Sequence, residues 1–174
     1  MNPIAQNRIA YETAGTEYEK YYFDEQTGGY VLIHQGHNRG ESFASEVFVA
    51  ESLARQGNAV ELVNERGEGK KFDAMVNGQD WEFKELKAST GNILSAVQAG
   101  VRKGKYQSGQ IAYHVNRSLN PEELEMLNRG IKNALRWDKE KQVKVLMLVS
   151  YQGNSIALTR KELDYGKVFE GSHL

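Results

Sequence analysis

Two adjacent residues, Asn77 and Gly78, limit what this chain can fold into more tightly than any others. They stand between alternating apolar runs. Asn-Gly in that setting is the strongest short-range signal for a β-hairpin, because a two-residue type I′ turn needs positive φ at both positions. If they form the turn, Val76 faces Gln79, Ala74 faces Trp81 and Asp73 faces Glu82. Opposed side chains lie about 5 Å apart at Cβ and like charges there destabilise a sheet, so a cation is expected between the two carboxylates. Period two sets Phe72, Ala74, Trp81 and Phe83 on one face, expected as core. Asp73, Glu82 and Lys84 share the other, expected as a site. A four-residue loop, Asn77 to Asp80, would instead oppose Asp73 to Lys84 as an ordinary ion pair, and the hairpin alone leaves both registers open. Acidic-x-Lys also begins at Glu68 and Glu85, but only Glu82 has an acidic partner across a predicted hairpin.

A length of 174 residues suits one core with an appended segment: residues 1–38 are expected as an N-terminal extension with a β-hairpin packing on the core, and 39–174 as that core. With 40% hydrophobic and 26% charged residues the composition is that of a globular chain. No apolar run approaches the ~18 residues of a membrane span. No basic-then-apolar signal follows Met1, so the chain is expected to act in the cytoplasm and not to export itself. The absence of cysteine excludes disulfides, thiolate catalysis and cysteine-bound zinc. A formal net charge of −1 argues against gross adhesion to nucleic acid, so any such contact is expected from a local patch.

Tyr21–Phe23 and Tyr30–Ile33 read as short strands around a Thr27-Gly28-Gly29 turn, their tyrosines expected as half-buried strand residues more than as platforms for bases. His34 and His37, three apart, fall in a polar loop ending at Asn38; they are candidates for metal binding or acid–base work, though a solvated loop is the simpler expectation. Gly40 to Gln56 reads as a helix ended by Gly57, with an apolar stripe of Phe43, Val47, Ala50, Leu53 and Ala54. Glu46 lies within that stripe, and a carboxylate on a core-facing position needs a partner.

Ala59–Val63 alternates as a strand, and Asn64–Lys70 forms a charged loop before the hairpin. After a connection at Lys87–Gly91, a helix is expected from Asn92 to about Lys103, with Ile93, Ala96, Val97 and Val101 inward. Gly100 on the same stripe would let another element approach closely. Gln98, Arg102 and Lys105 repeat at four and three; with Lys103 and Lys87 they are candidate contacts for backbone phosphate. A strand at Gln110–Val115 then implies a right-handed parallel crossover. Asn120-Pro121-Glu122-Glu123 opens a helix to about Arg136, followed by strands at Gln142–Tyr151 and Ile156–Leu158 and a short helix capped by Thr159. The order predicts an α/β fold with a mixed central sheet flanked by helices.

Carboxylates from a helix and a hairpin, with a lysine two residues from one of them, suit a hard divalent cation and phosphodiester hydrolysis. A metal between Asp73 and Glu82 would relieve their repulsion, and Lys84 would orient a water or offset charge in the transition state. Asp73 followed after eight residues by Glu82-Phe83-Lys84, with Glu46 on the preceding helix, resembles the PD-(D/E)XK nuclease superfamily. The runs GGYVLIHQGH from Gly28, KFDAMVNGQDWEFKELK from Lys71 and VRKGKYQSGQIAYHV from Val101 resemble C-terminal toxin domains of CdiA-type contact-dependent inhibition proteins, described as tRNA nucleases. The likeness spans roughly residues 20–150, with Lys71-Phe72 in place of the proline that often precedes the motif aspartate.

That resemblance implies a restriction-endonuclease-like core, αβββαβ. It implies cleavage of tRNA, other RNA or DNA with Mg2+ or Mn2+ (Zn2+ a further candidate), held by Asp73, Glu82, the Phe83 carbonyl and Glu46. Lys84 would assist the water, and Gln107 falls where such domains carry a polar residue after the helix. A cognate immunity protein is expected if the chain is a toxin, although Met1 opens it with no delivery module. Two other readings remain open: a metal-independent ribonuclease using His34 or His37, and a non-catalytic nucleic-acid- or protein-binding domain on a nuclease fold.

Overall fold

The computed structural model of the chain describes residues 2–69 and 71–174, with His173 described by its backbone alone. Lys70, the end of the expected charged loop, lies outside the described residues. The chain divides into two compact units, one through Trp81 and one from Glu82.

The first unit holds α1 (Pro3–Glu12), β1 (Tyr18–Phe23), β2 (Tyr30–His34), α2 (Phe43–Arg55), β3 (Ala59–Leu62), β4 (Ala74–Val76) and the start of β5 (Gln79–Leu86). β1 pairs antiparallel with β2, β2 parallel with β3, and β3, β4 and β5 follow antiparallel. α2 packs on β2 and β3. Its expected stripe is buried at Val47, Ala50, Leu53 and Ala54, facing a core that includes Val31, Ile33, Val60 and Leu62. α1 is an addition to the expected elements. Asn2 caps it by accepting from Ile4 N at 3.0 Å, and Pro3 takes the first turn. None of its residues is fully buried, and Tyr11 anchors it with ring centroids 5.4 Å from Phe23 and 5.9 Å from Tyr30.

At the hairpin, Val76 pairs with Gln79 and Ala74 with Trp81, so the turn is the two-residue one. Asn77 and Gly78 both take positive φ, +50° and +80°, as a type I′ turn requires. The four-residue loop and its Asp73–Lys84 register are excluded.

The second unit holds the rest of β5, then α3 (Ile93–Gly104), β6 (Gln110–Val115), α4 (Pro121–Arg136), β7 (Val145–Ser150), β8 (Ser155–Thr159), α5 (Arg160–Asp164) and a final 3₁₀ turn, Gly171–His173. β5, β6 and β7 run parallel through the two helical crossovers, and β8 returns antiparallel. Val97, Val101, Leu127 and Ile131 from the helices pack with Ile111, Leu146 and Leu148 from the strands. A Cβ at Gly100 would lie 2.4 Å from the Tyr113 hydroxyl, so the missing side chain is what admits that ring, as its place on the stripe suggested.

β7 starts at Val145 rather than at Gln142, because Asp138 accepts from the Gln142 and Val143 amides at 3.0 and 2.9 Å and draws them out of the ladder. The fold is mixed α/β, with eight strands among the described residues, and from α2 to β6 the order is helix, three strands, helix, strand. None of the described helices is long and apolar enough to cross a membrane.

Candidate functional site

Glu82 and Lys84 are the predicted site residues that the second unit brings together. Two residues apart on β5, they project to the same side, and Lys84 Nζ donates to Glu82 Oε1. Their register neighbours on β6 are Ile111 and Tyr113, both in the core that α3 and α4 cover, so the pair sits on the helix-covered face. Glu82 is 4% exposed, while the Lys84 side chain is 26% exposed. A carboxylate is therefore held in the interior with an ammonium beside it that reaches solvent. Phe83 alternates to the opposite face and is buried.

The end of α3 lies against this lysine: a Cβ at Gly104 would be 3.6 Å from Lys84 Cε. Arg102 and Lys103, in the last turn before that end, are exposed and form no ion pair among the described residues. Other members of the expected basic edge are engaged. Lys105 lies 3.8 Å from Asp138 Oδ1 with its ammonium 5.0 Å from the Tyr106 ring centroid. Gln98 accepts from Asn133 Nδ2 of α4 at 3.5 Å and so faces the helix pair. Lys87 is exposed and Gln107 half-buried.

In the first unit, Glu46 has the partners its position demanded. Ser42 Oγ donates to Oε1 at 2.6 Å, and His37 Nε2 lies 2.7 Å from Oε2. The imidazole's Nδ1 faces the Val63 carbonyl at 2.8 Å and Glu65 Oε2 at 3.3 Å. Both ring nitrogens thus face acceptors, which a proton on each satisfies. Burial, the largest single effect, pushes His37 down, but the bonds to Glu46 and Val63 and the charges of Glu65 and Glu46 outweigh it and hold the ring above the ordinary imidazole range.

The expectation of a solvated His37 is corrected: its side chain is 0% exposed, so it cannot meet a substrate as acid or base here. His34 is half-buried, its Nδ1 accepting from Gly36 N at 2.9 Å and its ring edge-on to Tyr18. Asp73 closes the hairpin through its backbone, its amide donating to Trp81 O at 3.1 Å and its carbonyl accepting from Val63 N at 3.0 Å.

Two features escaped the sequence reading. One is the His37–Glu46 contact, although both residues were singled out separately. The other is the distribution of charge. From Glu82 on there are 15 Lys and Arg against 10 Asp and Glu, a formal +5; through Trp81 there are 7 against 13, a formal −6. Near-neutrality of the whole chain conceals a basic second unit, the one that carries Glu82, Lys84 and α3.

Among the described residues no three His, Asp or Glu side chains gather as a metal cluster. A cation would have a buried carboxylate, Glu82, and its own waters. That donor set suits magnesium or manganese, which bind through one or two carboxylates and keep several waters, and is poor for zinc, which prefers a closed set of nitrogen or sulfur ligands.

Residues 70–155 match the family described as the contact-dependent growth inhibition CdiA C-terminal domain. Among solved structures, a CdiA-CT/CdiI toxin and immunity complex from Burkholderia pseudomallei aligns with a TM-score of 0.48 and 20% identity, covering 68% of this chain and 84% of that one. No curated protein matches the chain.

Proposed function

We propose that this chain, whose residues 70–155 match the family described as the contact-dependent growth inhibition CdiA C-terminal domain, stops growth by hydrolysing phosphodiester bonds of nucleic acid in a target cell. The observation that carries the reading is the Glu82–Lys84 pair, a buried carboxylate under a partly open ammonium, beside the exposed cations at the end of α3. The +5 charge of residues 82–174 supports it, because neutralising backbone phosphates is the main sequence-independent source of affinity for nucleic acid. The finer assignment, a PD-(D/E)XK nuclease with a restriction-endonuclease-like core, rests on the Asp73…Glu82-Phe83-Lys84 spacing and the helix, three-strand, helix, strand order.

In this reading Glu82, helped by the Phe83 carbonyl, holds a magnesium or manganese ion, and the motif adds Asp73 and Glu46 as further ligands to be tested. Such an ion supplies Lewis acidity at the scissile phosphate and a more acidic water. Lys84 orients the attacking water and offsets negative charge on the phosphoryl oxygens as the bond to the leaving oxygen breaks. Arg102, Lys103 and Lys87 hold flanking phosphates in register. A cell that makes such a domain needs a protein to block it, and the basic second unit favours an acidic immunity partner.

The test is cleavage of total tRNA, single-stranded DNA and plasmid with magnesium, manganese, zinc or excess chelator. Metal-dependent cleavage that Lys84→Ala abolishes supports the proposal. Cleavage that survives both Lys84→Ala and chelation rules it out.

A further inference from the structure

The outer side of α4 carries a feature the proposed chemistry does not use. A cavity of about 750 Å³ opens between α4 and residues 163–168, within the size range of small-molecule sites. Its walls are apolar, formed by Leu124, Ile131, Leu135 and Leu163. Its rim is cationic: Arg129, Lys132 and Arg136 follow at steps of three and four along one face of α4, all exposed. None of the three forms a hydrogen bond or ion pair among the described residues. Like charges at that spacing repel, so the stripe gains from an anion laid along it. Of the acids on the rim, Asp164 is already engaged by Arg160 and Lys141 at 2.8 Å each, which leaves Glu125 at one end.

Tyr165 lines the same cavity and is 82% exposed. It also lines a second cavity of about 470 Å³, bordered by Lys141, Lys144, Arg160, Lys161 and Asp164, where Asp164 pairs with Lys141 and Arg160 and leaves Lys144 and Lys161 as the cations facing it. An aromatic ring in solvent thus stands between two cation-edged hollows, one of them with an apolar floor. A partner helix would ask for the apolar floor alone. The ring flanked by cations on both sides is the combination that holds single strands, in which bases stack while phosphates lie on lysine and arginine.

We propose that this groove binds an unpaired stretch of nucleic acid, with a base entering beside Tyr165, one run of phosphates on Arg129, Lys132 and Arg136, and the other on Lys144 and Lys161. The inference rests on the nuclease reading and gives it a substrate class: nucleic acid with single-stranded segments, docked away from the residues that cut.

The experiment measures binding of a fluorescent single-stranded oligonucleotide and of its duplex to the full chain carrying Lys84→Ala, so that cleavage does not interfere. Tyr165→Ala should weaken single-strand binding about tenfold and leave duplex binding nearly unchanged. Arg129→Ala, Lys132→Ala and Arg136→Ala together should lower the salt dependence of log K by about two to three units of slope. A 4-thiouridine oligonucleotide should crosslink to the peptide that contains Tyr165, a readout that needs no variant of the groove. Wild-type-like affinities in both sets of variants, or crosslinks only elsewhere, would overturn the proposal even if the wild-type chain cleaves. Groove variants that keep oligonucleotide binding but lose an immunity partner would overturn it in favour of a protein surface. If Lys84→Ala still cleaves while the groove variants lose binding, the catalytic reading fails and the groove stands.

Discussion

His37 and Glu46 meet in the interior of the first unit, Nε2 to Oε2 at 2.7 Å, with the imidazole wholly shielded from solvent. The contact joins the loop after β2 to the first turn of α2, and Val63 and Glu65 close the other side of the ring. His37→Leu leaves a carboxylate buried with its main partner gone, which costs about 2–4 kcal/mol. The double variant His37→Leu, Glu46→Leu should recover much of that, as coupled neighbours do not add. Urea unfolding of the four chains reads the coupling; simple additivity would show that the pair contributes nothing as a pair.

The same pair sets a pH dependence. The folded ring titrates above its unfolded value of about 6.5, so the protonated ring is the stabilised one. Its contribution is complete below about pH 6.5 and fades as pH rises through the higher folded value. Unfolding free energy should fall across that window in the wild-type chain more than in His37→Leu. Parallel profiles would mean that the ring is buried neutral.

The legible parts of this molecule were those that local chemistry determines. Asn77-Gly78 and period two narrowed the hairpin to two registers, between which the positive φ of both turn residues and the Val76–Gln79 pairing decide, and helix periodicity placed α2, α3 and α4. Glu46 was recognised as needing a partner, but no periodicity links it to His37, nine residues away in a loop; that pairing exists only once α2 folds back on β2. α1 carried the same Asn-Pro opening as α4 but no apolar stripe, and its lack of buried residues shows why. The charge partition was present in the composition, yet it has physical meaning only once the boundary at Trp81 and Glu82 is known.

For Lys84 and Glu82 the expected outcomes differ. Lys84→Met keeps the stem beside Gly104 but removes the ammonium, and should lower the cleavage rate by at least 100-fold; it also takes the cation from the buried Glu82 carboxylate, which costs about 2–4 kcal/mol in urea unfolding. Glu82→Gln should lower the cleavage rate at least as far and raise the magnesium concentration needed for half-maximal residual rate. Identical metal dependence in the two variants would separate Glu82 from metal binding.

Asp138 and Arg160 form a buried pair at 2.5 Å, and Arg160 also donates to the Leu135 and Asp138 carbonyls at 3.2 and 3.1 Å, tying the end of α4 to α5. Arg160→Ala takes the closest cation from a carboxylate that is almost fully buried and leaves it on the Gln142 and Val143 amides, and should cost about 3 kcal/mol. Burial, the largest single effect, raises Asp138, but the Val143 and Gln142 amides and Arg160 overcome it and hold the carboxyl below its ordinary range. A depressed acid stabilises above its unfolded value of about 3.9 and loses that contribution as pH falls through the folded one. The wild-type chain should therefore lose stability below about pH 4 more steeply than Arg160→Ala, as acid titration followed by circular dichroism will show.

α3 and α4 approach each other through Gly130. A Cβ there would lie 2.7 Å from the Leu94 carbonyl oxygen and 3.1 Å from Val97 Cβ, and because the first of these is backbone the helices themselves must part. Overpacking of this kind costs about 1–3 kcal/mol, more than alanine regains in helix propensity. Gly91→Ala, where an added Cβ meets nothing within 4 Å, is the control and should be neutral or slightly stabilising. Because α3 carries Arg102 and Lys103 to the end that lies against Lys84, Gly130→Ala should also raise KM for nucleic acid more than it lowers kcat. Equal stability of the two alanine variants would show that the interface between α3 and α4 is loose enough to absorb a methyl group.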